Sequence, residues 1–407
     1  MGFNPLEHKG IPVDEQLRSW RELNVDPLST RPDDPYTMTR VILMNGIEVE
    51  SIMFSHQLAR NTDNPEIKRS LATSRRIEQQ QQKAINWLVP GEFTTLEKTI
   101  GYEQVAVDLT AWLARNEPDP NLKMALDFAL LEDFDHLYRY ANLYDLIEGG
   151  RAEELTQHLT EITPGRPTFA HHRDPVDMLR RHFATQTVNP LSRMHVMTVV
   201  AAEQQTMSFY MNTGPDYMEP IARGLYLEIA QVEEEHVSHY ESLLDPLDSW
   251  LANLLFHEAN EVYLYWSMFE TETDPRIKQL WELHLNMEIG HLQEAARLLR
   301  TFEGREPEEL LPPELPGVPL TFEPNKQYVR DVLAATVDLR TDLEDYAMLD
   351  QLPEDHRFFR FQDIVNADGS YGEDVIEANR EARGQEYRDE TDGPNPVFPV
   401  SEPAGQA

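Results

Sequence analysis

Two stretches of this chain carry a helical period. Apolar residues recur every three or four positions from residue 36 to about 148 and again from about 191 to 302. Breaks at Asn64-Pro65, Val89-Pro90-Gly91 and Asp119-Pro120 divide the first stretch into helices predicted near 37–61, 65–88, 95–116 and 120–147. The second divides in the same way, near 191–213, 220–244, 248–272 and 275–302. A Pro opens the second helix of each pair, where its missing N–H is not needed. Residues 1–35 are rich in Pro and Asp, lack the period and read as an extended arm. Residues 150–190 form a looser connector containing Pro164-Gly165-Arg166-Pro167-Thr168-Phe169, and nearly the same string returns as Pro316-Gly317-Val318-Pro319-Leu320-Thr321-Phe322. The tail, rich in Gly, Pro, Asp and Glu, is expected to wrap over the surface or stay disordered.

Beneath this pattern lies an internal repeat. Glu, Pro 17 positions on, Glu or Asp 13 further and His or Gln three beyond recur as Glu48–Pro65–Glu78–Gln81, Glu103–Pro120–Asp133–His136, Glu203–Pro220–Glu233–His236 and Glu258–Pro275–Glu288–His291. The first two copies start 55 residues apart (103 − 48), as do the last two (258 − 203), and the first pair returns 155 residues later (203 − 48). The expected fold is therefore all-α, four helical hairpins arranged as tandem four-helix bundles. The expected units are an N-terminal arm (1–35), repeat 1 with its connector (36–190), repeat 2 with its connector (191–345) and a C-terminal tail (346–407).

The repeated acids fall on apolar stripes. Glu203 shares a face with Val199, Val200, Met207 and Tyr210, Glu233 with Ile229, His236, Tyr240 and Leu244. Glu258 falls among Leu254, Leu255, Val262 and Tyr265, and Glu288 beside Leu285, His291, Leu292 and Ala295. Ionised carboxylates inside a bundle cost several kcal/mol each unless a cation compensates. Glu from two helices with Glu-x-x-His from two others is the ligand set of di-iron and di-manganese carboxylate bundles. Imidazole and carboxylate without thiolate favour Fe or Mn over structural zinc. The first half is weaker: Gln81 stands in place of His236 and Asp133 in place of Glu288. Glu78 is flanked by Ser74, Arg75 and Gln82, a polar face that suggests solvent.

Core Glu, a central Asp/Asn-Pro and Glu-x-x-His, given as two hairpins over roughly 36–148 and 191–303, resemble the ferritin-like superfamily, and the spacing most resembles its rubrerythrin-type members. That resemblance implies metal ligation by Glu203, Glu233, His236, Glu258, Glu288 and His291. Glu261 fits the place of an extra carboxylate one turn from the third-helix Glu. By the same correspondence Glu48, Glu78, Glu103, Asp133 and His136 are the counterparts in the first half. Rubrerythrins also carry a Cys-ligated rubredoxin domain; this chain has no Cys, so electrons would come from an external donor.

Only 25 residues separate Glu233 from Glu258 (258 − 233), too few for the long crossover of ferritin-like bundles. Two arrangements stay open: a simple up-down bundle in each half, or hairpins paired across the duplication. The second would join Glu103, Asp133 and His136 with Glu258, Glu288 and His291, leaving Glu48, Glu78, Glu203, Glu233 and His236 for another site.

His171-His172, His239 and His257 read as structural or exposed, His284 as support for Glu288, and Tyr240 and Tyr265 as core aromatics. The net charge of −37 argues against nucleic acid and anionic membranes. No apolar run resembles a signal peptide or a bilayer span, so a cytoplasmic protein is expected. The expected function is a dinuclear iron or manganese oxidoreductase acting on dioxygen or peroxide, with oligomerisation left open. The alternatives are ferroxidase-like iron storage and a helical scaffold with vestigial sites.

Overall fold

The computed structural model describes residues 4–400. The chain is mostly helical: α1 (Trp20–Leu23), α2 (Tyr36–Arg60), α3 (Pro65–Asn86), α4 (Thr95–Asn116), α5 (Pro120–Glu148), α6 (Glu153–Thr156), α7 (Pro190–Thr213), α8 (Pro220–Glu241), α9 (Trp250–Thr271), α10 (Pro275–Glu303), α11 (Lys326–Thr336), α12 (Arg357–Val365) and α13 (Tyr371–Arg383). A small antiparallel hairpin, β1 (Leu339–Asp342) and β2 (Asp345–Met348), is registered from Leu339↔Met348 to Asp342↔Asp345.

Local chemistry sets the long helices. Asn64, Asp119 and Asp274 each cap two free N–H groups of the helix whose first residue is the following Pro. Glu219, before Pro220, makes no such cap. α5 and α10 each run 29 residues from Pro and stop at a left-handed glycine, Gly149 (φ 66°) or Gly304 (φ 64°), so the duplication is visible down to the helix ends.

The long helices pack as four hairpins, α2/α3, α4/α5, α7/α8 and α9/α10. Across hairpins, α4 lies on α7 and α5 on α8, while α2 lies on α9 and α3 on α10. The second and third hairpins thus enclose one interior, and the first and fourth another. Hairpins thus pair across the duplication, one of the two arrangements open to the sequence, but with other partners: the second hairpin meets the third and not the fourth. The links 87–94 and 242–249 are short and set the next hairpin alongside its predecessor. Only the long connector 149–189 can bring a hairpin round to face one from the other half. The faces that close together therefore come from different repeats.

The two sets touch where α2 crosses α7. A Cβ on Gly46 would come within 2.8 Å of Gln205 Nε2 and 3.1 Å of the Ala201 carbonyl. Gln205 Nε2 donates to the Ile42 carbonyl across this crossing (3.0 Å). The tail is built into the fold: α13 packs on α5 and α8, buries Val375 and Ile376, and donates from Asn379 to Asn142 (2.9 Å). Residues 401–407 of that tail and 1–3 of the arm lie outside the described residues. Among the described residues no helix is long and apolar enough to cross a membrane.

Candidate metal centre

The interior between the second and third hairpins holds six ligand-type side chains, all buried: Glu103 on α4, Asp133 and His136 on α5, Glu203 on α7, and Glu233 and His236 on α8. They fall into two groups whose ligand atoms lie within 4.8 Å of one another: Asp133, Glu203, Glu233 and His236, and Glu103, His136 and Glu233. Glu233 belongs to both, so its two oxygens stand between two potential cation positions. Neither Glu233 oxygen, neither Asp133 oxygen, nor Glu103 Oε2 has a hydrogen-bond partner. His136 Nδ1 stands 3.0 Å from Glu233 Oε1 without the alignment of a hydrogen bond. Buried, uncompensated acceptors cost several kcal/mol each, and a cation is what would satisfy them together.

Outside the ligands, the connector orients both imidazoles. His171 Nε2 lies 2.6 Å from the Arg166 carbonyl, which can only accept, so that nitrogen carries the proton. Burial holds the His171 pKa well below the usual range, so the ring is neutral and its Nδ1 accepts from His136 Nε2 (3.2 Å). His136 therefore donates outward from Nε2, and its Nδ1 is turned toward Glu233. His236 Nε2 likewise points to Glu132 Oε2 (2.8 Å), leaving Nδ1 toward Asp133 (3.3 Å), Glu233 (3.4 Å) and Glu203 (3.6 Å). Glu132 accepts from Arg166 (3.0 Å) and Arg173 (3.0 Å). Burial alone would raise the Glu132 pKa, but Arg173, His236 and Arg166 together hold it well below the usual carboxylate range. The connector fits this closely: a Cβ on Gly165 would sit 2.3 Å from the Leu131 carbonyl.

Without a cation, protons must do the balancing. Burial, then the charges of neighbouring carboxylates, push Glu103 and Glu203 well above the usual range. Burial works against ionised Glu233 too, but His136 and His236 outweigh it and bring it down to about 2. Tyr210 donates to Glu103 Oε1 (2.5 Å), and the cavity of about 680 Å³ beside α7 and α8 ends on that tyrosine.

The interior between the first and fourth hairpins holds Glu48, Glu78, Gln81, Glu258, Glu261, Glu288 and His291. Here one group gathers, Glu78, Glu258, Glu288 and His291. His291 Nδ1 lies 2.7 Å from Glu78, 3.0 Å from Glu288 and 3.8 Å from Glu258, and its Nε2 has no partner. Gln81 Nε2 donates to Glu48 (3.3 Å) and to Glu288, so an amide occupies the region between those two carboxylates. Tyr265 donates to Glu48, and His284 Nδ1 approaches the Tyr265 hydroxyl (3.3 Å), so His284 supports Glu48 through a tyrosine and not Glu288. Burial, then the surrounding acids, push Glu48 and Glu261 well above the usual carboxylate range.

Every acid and imidazole expected from the sequence lies in one of these two interiors. The partnership is new: Glu103, Asp133 and His136 meet Glu203, Glu233 and His236, while Glu48 and Glu78 meet Glu258, Glu261, Glu288 and His291. Glu78 is 2 % exposed, which corrects the solvent-facing reading of its polar flank. Ser74 and Arg75, one turn before it, are half-buried, with Arg75 directed to Ser55 (3.4 Å), and Gln82, one turn after it, is buried and donates to Asn45 (3.2 Å). Sequence reasoning passed over Glu132, Arg166 and Arg173 and read His171 as structural or exposed. The available signal was the acidic pair Glu132-Asp133, of which only one member can be a ligand on that face. Comparisons with protein-family models, curated proteins and solved structures each find no match for this chain.

Proposed function

We propose that the second and third hairpins build a dinuclear iron or manganese centre of the ferritin-like, rubrerythrin-type kind, and that it acts as an oxidoreductase toward dioxygen or peroxide. The observation that carries this reading is Glu233, shared by two ligand groups with both oxygens unpartnered in a sealed interior. Glu103 and His136 would hold one cation, Asp133, Glu203 and His236 the other, with Glu233 between them. The donors are hard oxygens and imidazole nitrogens, which suit Fe and Mn. Bound there, such a pair supplies Lewis acidity and electron transfer to a small oxidant.

The chain's own residues prepare the site. His171 and Glu132 hold the outer nitrogens of both imidazoles, so that each Nδ1 is already turned inward before any cation arrives. The Tyr210 hydroxyl donates a hydrogen bond to Glu103 Oε1 at the end of the cavity, where a small molecule would enter. With no Cys in the chain, electrons would come from a separate donor.

Elemental analysis of purified protein beside a Glu233→Ala variant tests the proposal. It expects about two Fe or Mn per chain in this interior, lost in the variant, with oxygen or peroxide consumed only by the loaded protein. Metal uptake without oxidant consumption would indicate non-catalytic iron binding. Folded protein that takes up no metal on reconstitution would make the interior vestigial, and either result overturns the oxidoreductase.

A further inference from the structure

A second concave site lies outside both interiors. The arm helix α1 and the outer face of α3 enclose a groove of about 580 Å³, within the range of small-molecule sites. Trp20 and Trp87, 75 % and 48 % exposed, both line it, together with Arg76, Lys83, Gln79 and Gln80. Gln80 fixes the groove's shape, because its amide accepts from the Arg18 N–H (2.8 Å) and donates to the Arg18 carbonyl (3.0 Å), tying the arm to α3. Arg76 donates to Gln79 (2.8 Å), and among the described residues neither Arg76 nor Lys83 has an ion-pair partner.

The charge of this lining is the decisive point. The chain carries 72 acidic and 35 basic residues, yet the groove is lined by two cations and no carboxylate. Two of the six tryptophans of the chain are spent, largely solvent-exposed, on this one surface. Indole faces offer stacking area to a flat ring, and unpaired cations beside them attract an anionic substituent. We infer that this groove binds a planar aromatic molecule bearing an anionic group, its ring against Trp20 and Trp87 and its charge toward Arg76 and Lys83. Glu78 and Gln81 of the first–fourth interior project from the other side of α3, so the ligand would lie about one helix diameter, roughly 10 Å, from that cluster.

Flavin mononucleotide and riboflavin make a matched pair of probes, since they share the ring and differ by a phosphate. Fluorescence anisotropy of each is followed as the full-length protein is added, at low and high salt. The proposal expects saturable binding of the phosphorylated probe, weakened by salt and by removal of the phosphate. It further expects Trp20→Ala and Lys83→Glu, both at exposed positions, each to weaken binding about tenfold at an unchanged thermal midpoint. Riboflavin binding equally tightly would overturn the anionic requirement. No saturable signal up to millimolar probe, or variants that bind like the wild type, would overturn the site. The measurement needs no metal, so its outcome is separate from that of the dinuclear centre.

Discussion

The two interiors descend from one repeated pattern and differ most just outside their ligands. Glu132 of the second hairpin corresponds to Met287 of the fourth (287 − 132 is 155), and Arg166 of the first connector to Val318 of the second (318 − 166 is 152). His236, the partner of Glu132, corresponds to Gln81 (236 − 81 is 155). The imidazole at the His236 position, its orienting carboxylate and the buried arginine are thus present together in one interior and absent together in the other, whose ligand group keeps only the imidazole of His291. An imidazole whose outer nitrogen finds no acceptor gains little over an amide, and an arginine with no carboxylate to neutralise would be an uncompensated buried charge. The second connector instead seats Phe322 against Tyr36 and accepts at the Val318 carbonyl from Tyr263 (2.9 Å). On the proposed reading, the ligand set is complete where the residues that orient it are present.

The largest difference to break is occupancy. Glu233→Ala is expected to remove about two bound ions and Glu78→Ala at most one, read by elemental analysis. If Glu78→Ala costs as much metal as Glu233→Ala, the two interiors are equivalent and the contrast fails.

Next comes Asp108, a buried carboxyl of α4 that belongs to neither cluster and lies where Tyr36 of the first hairpin and Thr160 meet it (3.4 and 2.7 Å). Burial pushes its pKa up to about 7. Its ordinary value is about 3.9, so between those two pH values the folded chain holds the extra proton and stability falls as pH rises. Asp108→Asn should remove that decline, with a gain of up to about 4 kcal/mol above pH 7, measured by denaturant unfolding at pH 5 and pH 8. An identical pH slope in the variant would place the titration elsewhere.

Smaller is the effect of the shell itself. Glu132→Gln is expected to lower metal affinity of the second–third interior about 10–100-fold, while Met287→Leu changes nothing, in chelator competition. Smallest is restoration. Gln81→His with Met287→Glu should give the first–fourth interior one more ion per chain, weakly held because no arginine stands behind the new carboxylate. Gln81→His gaining as much alone would show that the shell is dispensable there.

The helices were legible because period, Pro and cap residues are local signals, and Asn64-Pro65 or Asp119-Pro120 needs no tertiary information. The buried acids and imidazoles of the two interiors were legible because acids on apolar stripes are anomalous wherever the chain folds. The pairing of hairpins was not, since it depends on how far the 149–189 connector carries the chain and on a backbone contact at Gly46 that leaves no pattern. Glu132 was hidden by its neighbour Asp133, and Arg166 by a connector that reads as loop. The tail's α13 carries its period over 13 residues, but its role as a cover for α5 and α8 depends on contacts such as Asn379 to Asn142, 237 residues away.

The nesting of one hairpin pair inside the other also sets an order of events. Contacts in the inner interior span 107 residues, as in Glu103 to Tyr210, and in the outer 217, as in Glu48 to Tyr265. Doubling a loop adds only about 0.6 kcal/mol of closure entropy, so equilibrium hardly favours one over the other. Synthesis does. The inner four helices are complete at Glu241, whereas α10 ends at Glu303. At about 5–20 residues per second the ribosome takes roughly 3–12 s to cover that gap. For those seconds α2 and α3 have no partner for their inward acids. The nascent chain must carry Glu48 and Glu78 open to solvent until its fourth hairpin emerges.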